Sequence, residues 1–170
     1  MICYYTNWSW YRPGEAKYSP ADVDLDLCTH ILFGFATLDP NQLTMRVFDS
    51  WSDTDQYGPK LYSKVVALKS SGIKVLIALG GWNDSLGNKY SRMVNDPAAR
   101  QRFVENAIIF IEKYGFDGLD LDWEYPKCWQ VCLEFCICVR KRNYTNRTSL
   151  LGGLQCWSRI GQTGFRFFGK

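Results

Sequence analysis

The chain of 170 residues is long enough to bury a good core as one domain and too short for two large ones. Hydrophobic residues at 46%, charged residues at 22%, and 7 Trp, 10 Tyr and 10 Phe exclude a disordered chain and favour packing or ligand stacking. The net charge of +3 conceals a division: residues 1–126 hold 12 Lys and Arg against 16 Asp and Glu, whereas residues 127–170 hold 8 against 1.

Residues 2–6, ICYYT, read as a short buried strand, and the opening stretch lacks the charged start, apolar core and small-residue cleavage site of a signal peptide. Residues 29–37, THILFGFAT, form a second apolar run; residues 74–81, KVLIALGG, form a third that is too apolar for a half-exposed strand. Between them Leu61, Tyr62, Val65, Val66 and Lys69 set a helical pattern that starts near Pro59 and stops at Gly72. The next helix is the clearest element. Asp96 caps it, Pro97 occupies its first turn, Phe103, Val104, Ala107, Ile108, Ile111 and Tyr114 form its buried stripe, and Gly115 ends it. Residues 118–124 then read as a fourth strand. Continuous apolar strands suit a parallel sheet covered by helices, so the class is α/β, as a β/α barrel or an open doubly wound sheet. Leu79-Gly80-Gly81-Trp82 lacks the spaced glycines of a dinucleotide site. The glycine pair suits close backbone packing beside an aromatic binding surface, and a plain tight turn explains it equally well.

FDGLDLDWEYP, residues 116–126, places Asp117, Asp120, Asp122 and Glu124 among apolar residues after a helix. On a strand, residues 120, 122 and 124 share one face, about 6–7 Å apart in succession. Three acids on one inward face cannot all stay ionised cheaply, so the cluster is expected to retain a proton near neutral pH, as a general acid must. Glu124 at the carboxyl end of the strand is the natural proton donor, with Asp122 orienting a reacting group. Magnesium is the competing reading, because hard cations take several carboxylate oxygens. The single His, His30, lies in an apolar strand and reads as a hydrogen-bonded core residue; it allows neither a zinc triad nor a Ser-His-Asp arrangement.

The acidic run resembles the signature of the family 18 glycoside hydrolases, the chitinases and chitinase-like lectins. The likeness extends to Cys3-Tyr4-Tyr5-Thr6-Asn7-Trp8 with Tyr11-Arg12, to Cys28-Thr29-His30 with Phe33-Gly34-Phe35-Ala36, and to Ala78-Leu79-Gly80-Gly81-Trp82. The resemblance implies a partial TIM (β/α)8 barrel of which residues 1–130 supply the first four strands. It implies that Glu124 is the catalytic acid, that Asp122 turns toward the substrate's N-acetyl group, that Asp120 holds the proton balance of Asp122, and that Asp117 with Gly118 is structural. The nucleophile would be the substrate's own acetamido oxygen, giving retention of configuration. Tyr4, Phe35 and Trp82 would line sugar subsites, Trp8 a more distal one, and Cys3 and Cys28 would form a disulfide. Chitin or chito-oligosaccharides are the implied partners, with no cofactor and no metal. Family analogy places the protein outside the cell, and the folded chain is expected to be a monomer. Hydrolysis is the first expectation; chitin binding without cleavage by a truncated barrel is the alternative.

Residues 131–170 depart from this pattern as a Cys-rich basic tail. Of the 7 cysteines, Cys128, Cys132, Cys136, Cys138 and Cys156 lie after Pro126, and the odd total leaves at least one thiol unpaired or paired between chains. The spacing of the first four does not make two CxxC knuckles, so zinc is not expected. Arg140-Lys141-Arg142 is a basic cluster common on ordinary surfaces, so no nucleic-acid partner is expected. No run approaches the roughly 20 apolar residues of a membrane span. Asn7, Asn83, Asn143 and Asn146 match the glycosylation pattern, the first two by chance because they flank the expected cleft.

Overall fold

Five strands and four α-helices form within residues 1–126, the part of the chain that this computed structural model describes. The basic tail, its four-cysteine group, the Arg140–Arg142 cluster and the acceptors Asn143 and Asn146 lie outside the described residues. In chain order the elements are β1 (Ile2–Thr6), β2 (His30–Leu38), β3 (Met45–Val47), α1 (Ser50–Asp53), α2 (Leu61–Ala67), β4 (Lys74–Gly80), α3 (Lys89–Asn95), α4 (Pro97–Tyr114) and β5 (Gly118–Asp122). A 3-10 turn at Asn7–Tyr11 follows β1.

Strands β1, β2, β4 and β5 pair in that order, all parallel, and β3 pairs antiparallel with β2. This is an α/β fold, part of a barrel: the chain returns through a connection or helix before each new parallel strand. Register aligns Thr6, Gly34, Ala78 and Asp120 in one row across the sheet. Alternation then sorts the faces. Ile31, Phe33, Val75, Ile77, Leu79 and Leu121 pack under the helices with Tyr62, Val65, Phe103, Ala107, Phe110 and Phe116. Tyr4, Leu32, Leu76, Ala78 and Asp120 occupy the opposite, inner face. Each fully buried Leu or Ile of this core contributes roughly 1.5–3 kcal/mol.

The long helix forms where the sequence signals place it. The Asp96 side chain accepts from Ala98 N at 2.9 Å, Pro97 opens the first turn, and Gly115 closes the helix in the left-handed region at φ 79°. Its buried stripe contains Ala99 and Phe110 besides Phe103 and Ala107, while Ile108 is only half-buried. The helix expected from Pro59 to Gly72 is shorter: α2 tightens into a 3-10 turn over Leu68–Ser71 before Gly72.

Two expectations change. His30 is the first residue of β2 and hydrogen-bonded, with Nδ1 2.9 Å from Thr29 Oγ1, but it is half-buried and not part of the core. The fourth parallel strand stops at Asp122, short of Glu124, because its neighbour β4 ends at Gly80. Asn7, expected to match the acceptor pattern by chance, is 3% exposed and donates to the Asp53 carboxylate. Cys3 and Cys28 are disulfide-bonded, tying β1 to the segment before β2 across 25 residues. A bridge closing a loop of that size stabilises by about 2–4 kcal/mol, chiefly by restricting the unfolded chain.

Candidate active site

The carboxyl ends of the parallel strands converge on the acidic run. At β4 the chain turns sharply, with Gly80 at φ 119° and Gly81 at φ 80°. A Cβ on Gly80 would stand 2.2 Å from the Asp122 carbonyl oxygen, and one on Gly81 3.1 Å from the Phe35 ring. The glycine pair therefore serves both as a turn and as a close approach of β4 to β5 beside an aromatic side chain. Gly81 N donates to the Asp122 carbonyl at 2.8 Å as the last rung between these two segments.

Asp120 has no exposed surface, and Tyr4 Oη donates to its Oδ2 at 2.5 Å across the inner face of the sheet. Asp122, two residues on, shares that face and is half-buried. Trp123 points the other way, 3% exposed, and stacks on Tyr90 with centroids 5.6 Å apart at 20°. Glu124 lies beyond the strand. Of residues 120, 122 and 124, expected on one strand face, only the first two share it; Glu124, half-buried, is placed by a hydrogen bond from its backbone N to Ser85 Oγ at 2.9 Å. Its carboxylate charge is the first cause raising the neighbouring Tyr125 phenol above its ordinary pKa. Asp117, at the start of β5, accepts from Val75 N at 2.9 Å and pairs with Lys69 at 3.1 Å and Lys74 at 3.8 Å, next to buried Gly118.

An aromatic row borders these acids. Trp8, 49% exposed, stacks on Phe35 at 6.1 Å and 20°, and Phe35 meets Tyr4 at 6.2 Å. Trp82, 62% exposed, stands on the loop after Gly81 and packs edge-on against Tyr125 at 6.4 Å. All four aromatics expected from the sequence thus line one region. Tyr11 and Trp51, exposed and 6.2 Å apart, form a further aromatic pair; Tyr11 follows Trp8 on the same 3-10 turn. Trp51 carried no sequence signal because its helix has only four residues.

Two carboxylates, Asp53 and Asp84, support the row. Asp53, with no exposed surface, accepts from Asn7 Nδ2 at 3.3 Å and Ser52 Oγ at 3.0 Å, and burial pushes its carboxyl up to about 7. Asp84 accepts from Leu38 N at 3.2 Å, Lys89 Nζ at 2.5 Å, Tyr90 Oη at 2.6 Å and the Thr37 hydroxyl, anchoring the Trp82 loop to the end of β2. Among the described residues no group of three or more His, Cys, Asp or Glu is placed to hold a metal ion.

The sequence matches the model of the glycosyl hydrolases family 18 over residues 1–157. It is 58% identical over 130 residues to probable chitinase 10 of Drosophila melanogaster, covering 76% of this chain and 6% of that protein. The structure is similar to a mutant of Ostrinia furnacalis Group II chitinase catalytic domain 2 in complex with (NAG)5, with a TM-score of 0.72 and 58% identity over 76% of this chain and 33% of that one. Human YKL-39, a pseudo-chitinase with retained chitooligosaccharide binding properties, is more distant, at 31% identity and a TM-score of 0.61 over 76% of this chain and 34% of that one. The chain spans about a third or less of the length of these relatives. With the family match reaching across most of its length, this chain belongs to the glycosyl hydrolases of family 18.

Proposed function

We propose that this chain takes part in hydrolysis of β-1,4-linked N-acetylglucosamine polymers by a retaining, substrate-assisted route. The observation that carries the reading is the Tyr4–Asp120 hydrogen bond on the inner face of the sheet, with Asp122 next on that face, Glu124 just past the strand end, and exposed Trp8 and Trp82. Kinship with chitinases supports it.

In this mechanism Glu124 gives its proton to the glycosidic oxygen as the bond to the anomeric carbon breaks, and the leaving sugar departs with that proton. The acetamido oxygen of the sugar that keeps the anomeric carbon closes on that carbon, forming an oxazolinium ion, and Asp122 accepts a hydrogen bond from the N–H of that acetamido group. Asp120, held by the Tyr4 hydroxyl, adjusts the proton balance of Asp122. Glu124, now a carboxylate, takes a proton from water; the hydroxide attacks the anomeric carbon from the face the leaving group vacated, and the ring opens. Two inversions give net retention. The aromatic row holds an uncharged polymer through the apolar faces of its rings. The Cys3–Cys28 bridge suits an oxidising, extracellular setting.

The stereochemistry tests this reading. Proton NMR during cleavage of an N-acetylglucosamine oligomer is expected to show the β-anomer first, with no cleavage of the fully deacetylated oligomer. The α-anomer first, or equal cleavage of the deacetylated chain, contradicts it.

A further inference from the structure

The ladder between β4 and β5 ends at the pair Gly80 and Asp122, so the Glu124 backbone N–H has no strand partner available to it. A side chain from another segment fills that role. Ser85, 8% exposed, sits on the loop between β4 and α3, and its Oγ accepts from Glu124 N at 2.9 Å while reaching the Asp122 carbonyl at 3.5 Å. Ser85 N donates to the Gly81 carbonyl at 3.0 Å, and Gly81 N donates to the Asp122 carbonyl at 2.8 Å. These bonds close a ring through Gly81, Ser85, Asp122 and Glu124. A serine hydroxyl has one proton and two lone pairs, so it serves as acceptor and donor in this ring at once.

The preceding residue ties the loop down. Asp84 is held by groups from β2 and α3 at once, and Tyr90, one of its donors, stacks on Trp123 next to Glu124. Trp82 and Leu86 on the same loop are 62% and 64% exposed, so Ser85 is a buried anchor within an otherwise open loop.

We infer that Ser85 is a positioning residue: its hydroxyl fixes the backbone of Glu124 to the loop that carries Trp82, so that proton donor and aromatic contact are held as one unit. The inference rests on the proposed hydrolase reading for its catalytic consequence, and on geometry alone for the bridge. The test compares the full 170-residue chain with Ser85→Ala, Ser85→Cys and Ser85→Thr. Amide exchange at Glu124, followed by NMR, is expected to quicken at least about tenfold in the Ala and Cys variants and to stay slow with Thr, which keeps the hydroxyl. On an N-acetylglucosamine oligomer, kcat is expected to fall about tenfold in Ala and Cys with KM within about twofold, well inside what a 1 Å misplacement costs, and to recover in Thr. Unchanged Glu124 exchange in the Ala and Cys variants overturns the bridge. A kcat loss that tracks thermal stability and is not recovered by Thr overturns the positioning role. Absence of turnover in the parent chain overturns the hydrolase reading instead, and the exchange rates then judge the bridge by themselves.

Discussion

Single side chains make two of the strongest demands on this fold. Asp120 is wholly buried on the inner face of the sheet and receives the Tyr4 hydroxyl. Leaving a buried acceptor without its donor costs about 1–3 kcal/mol; because the proposed mechanism routes proton balance through Asp120, Tyr4→Phe is expected to lower kcat at least about tenfold with a smaller effect on KM. Unchanged kinetics would separate this pair from the chemistry. Asp53 makes the other demand. Burial raises its carboxyl from 3.8 to about 7, so the folded state favours the protonated acid. Its stabilising contribution is complete below about pH 4 and is lost as pH rises through about 7. Melting curves between pH 4 and 8 are expected to show a steeper decline for the parent than for Asp53→Asn, and parallel curves would refute the assignment. The sequence offered the acids at 120, 122 and 124 because they alternate with apolar residues. Asp53 was illegible, since nothing in SWSD distinguishes a buried carboxylate from a helix-end acid.

At the scale of elements, the junction of β4 and β5 decides the site. Gly80 combines a positive φ with a carbonyl 2.2 Å from where a side chain would begin. Gly80→Ala adds backbone strain to a clash and is expected to cost about 2–5 kcal/mol, measured by denaturant unfolding. A loss below about 1 kcal/mol would show that the strands part easily there. Elements with strong end signals were legible: α4 has an Asp cap, a Pro in its first turn and a Gly stop, and all three act as the pattern indicates. Elements without them were not. The helix α3 has seven residues and no side-chain cap, and β3 has three residues, too few for any period to emerge. Glu124 was assigned to the strand because alternation continues through it, whereas the end of pairing is set by Gly80 on another strand. Ser85 gave no signal, because a serine in a loop is unremarkable until its partner across the turn is known.

For the molecule as a whole, the four parallel strands form an open arc. Among the described residues, β1 and β5 each pair with one strand, so the arc has two sheet edges. What the sequence declared at this scale came from motifs spread over residues 3–126, on the parallel strands or in the segments beside them. The Cys3–Cys28 bridge entered as an implication of kinship and is present in the structure. The proposed function requires a working acid at Glu124. Its most direct test is hydrolysis of a fluorogenic N-acetylglucosamine oligomer by the purified, cooperatively folded 170-residue chain, with Glu124→Gln beside it. Turnover by the parent, reduced at least about 100-fold in the variant while oligosaccharide binding persists, is the predicted result. Equal turnover by both proteins, or none from the folded parent, would contradict the account.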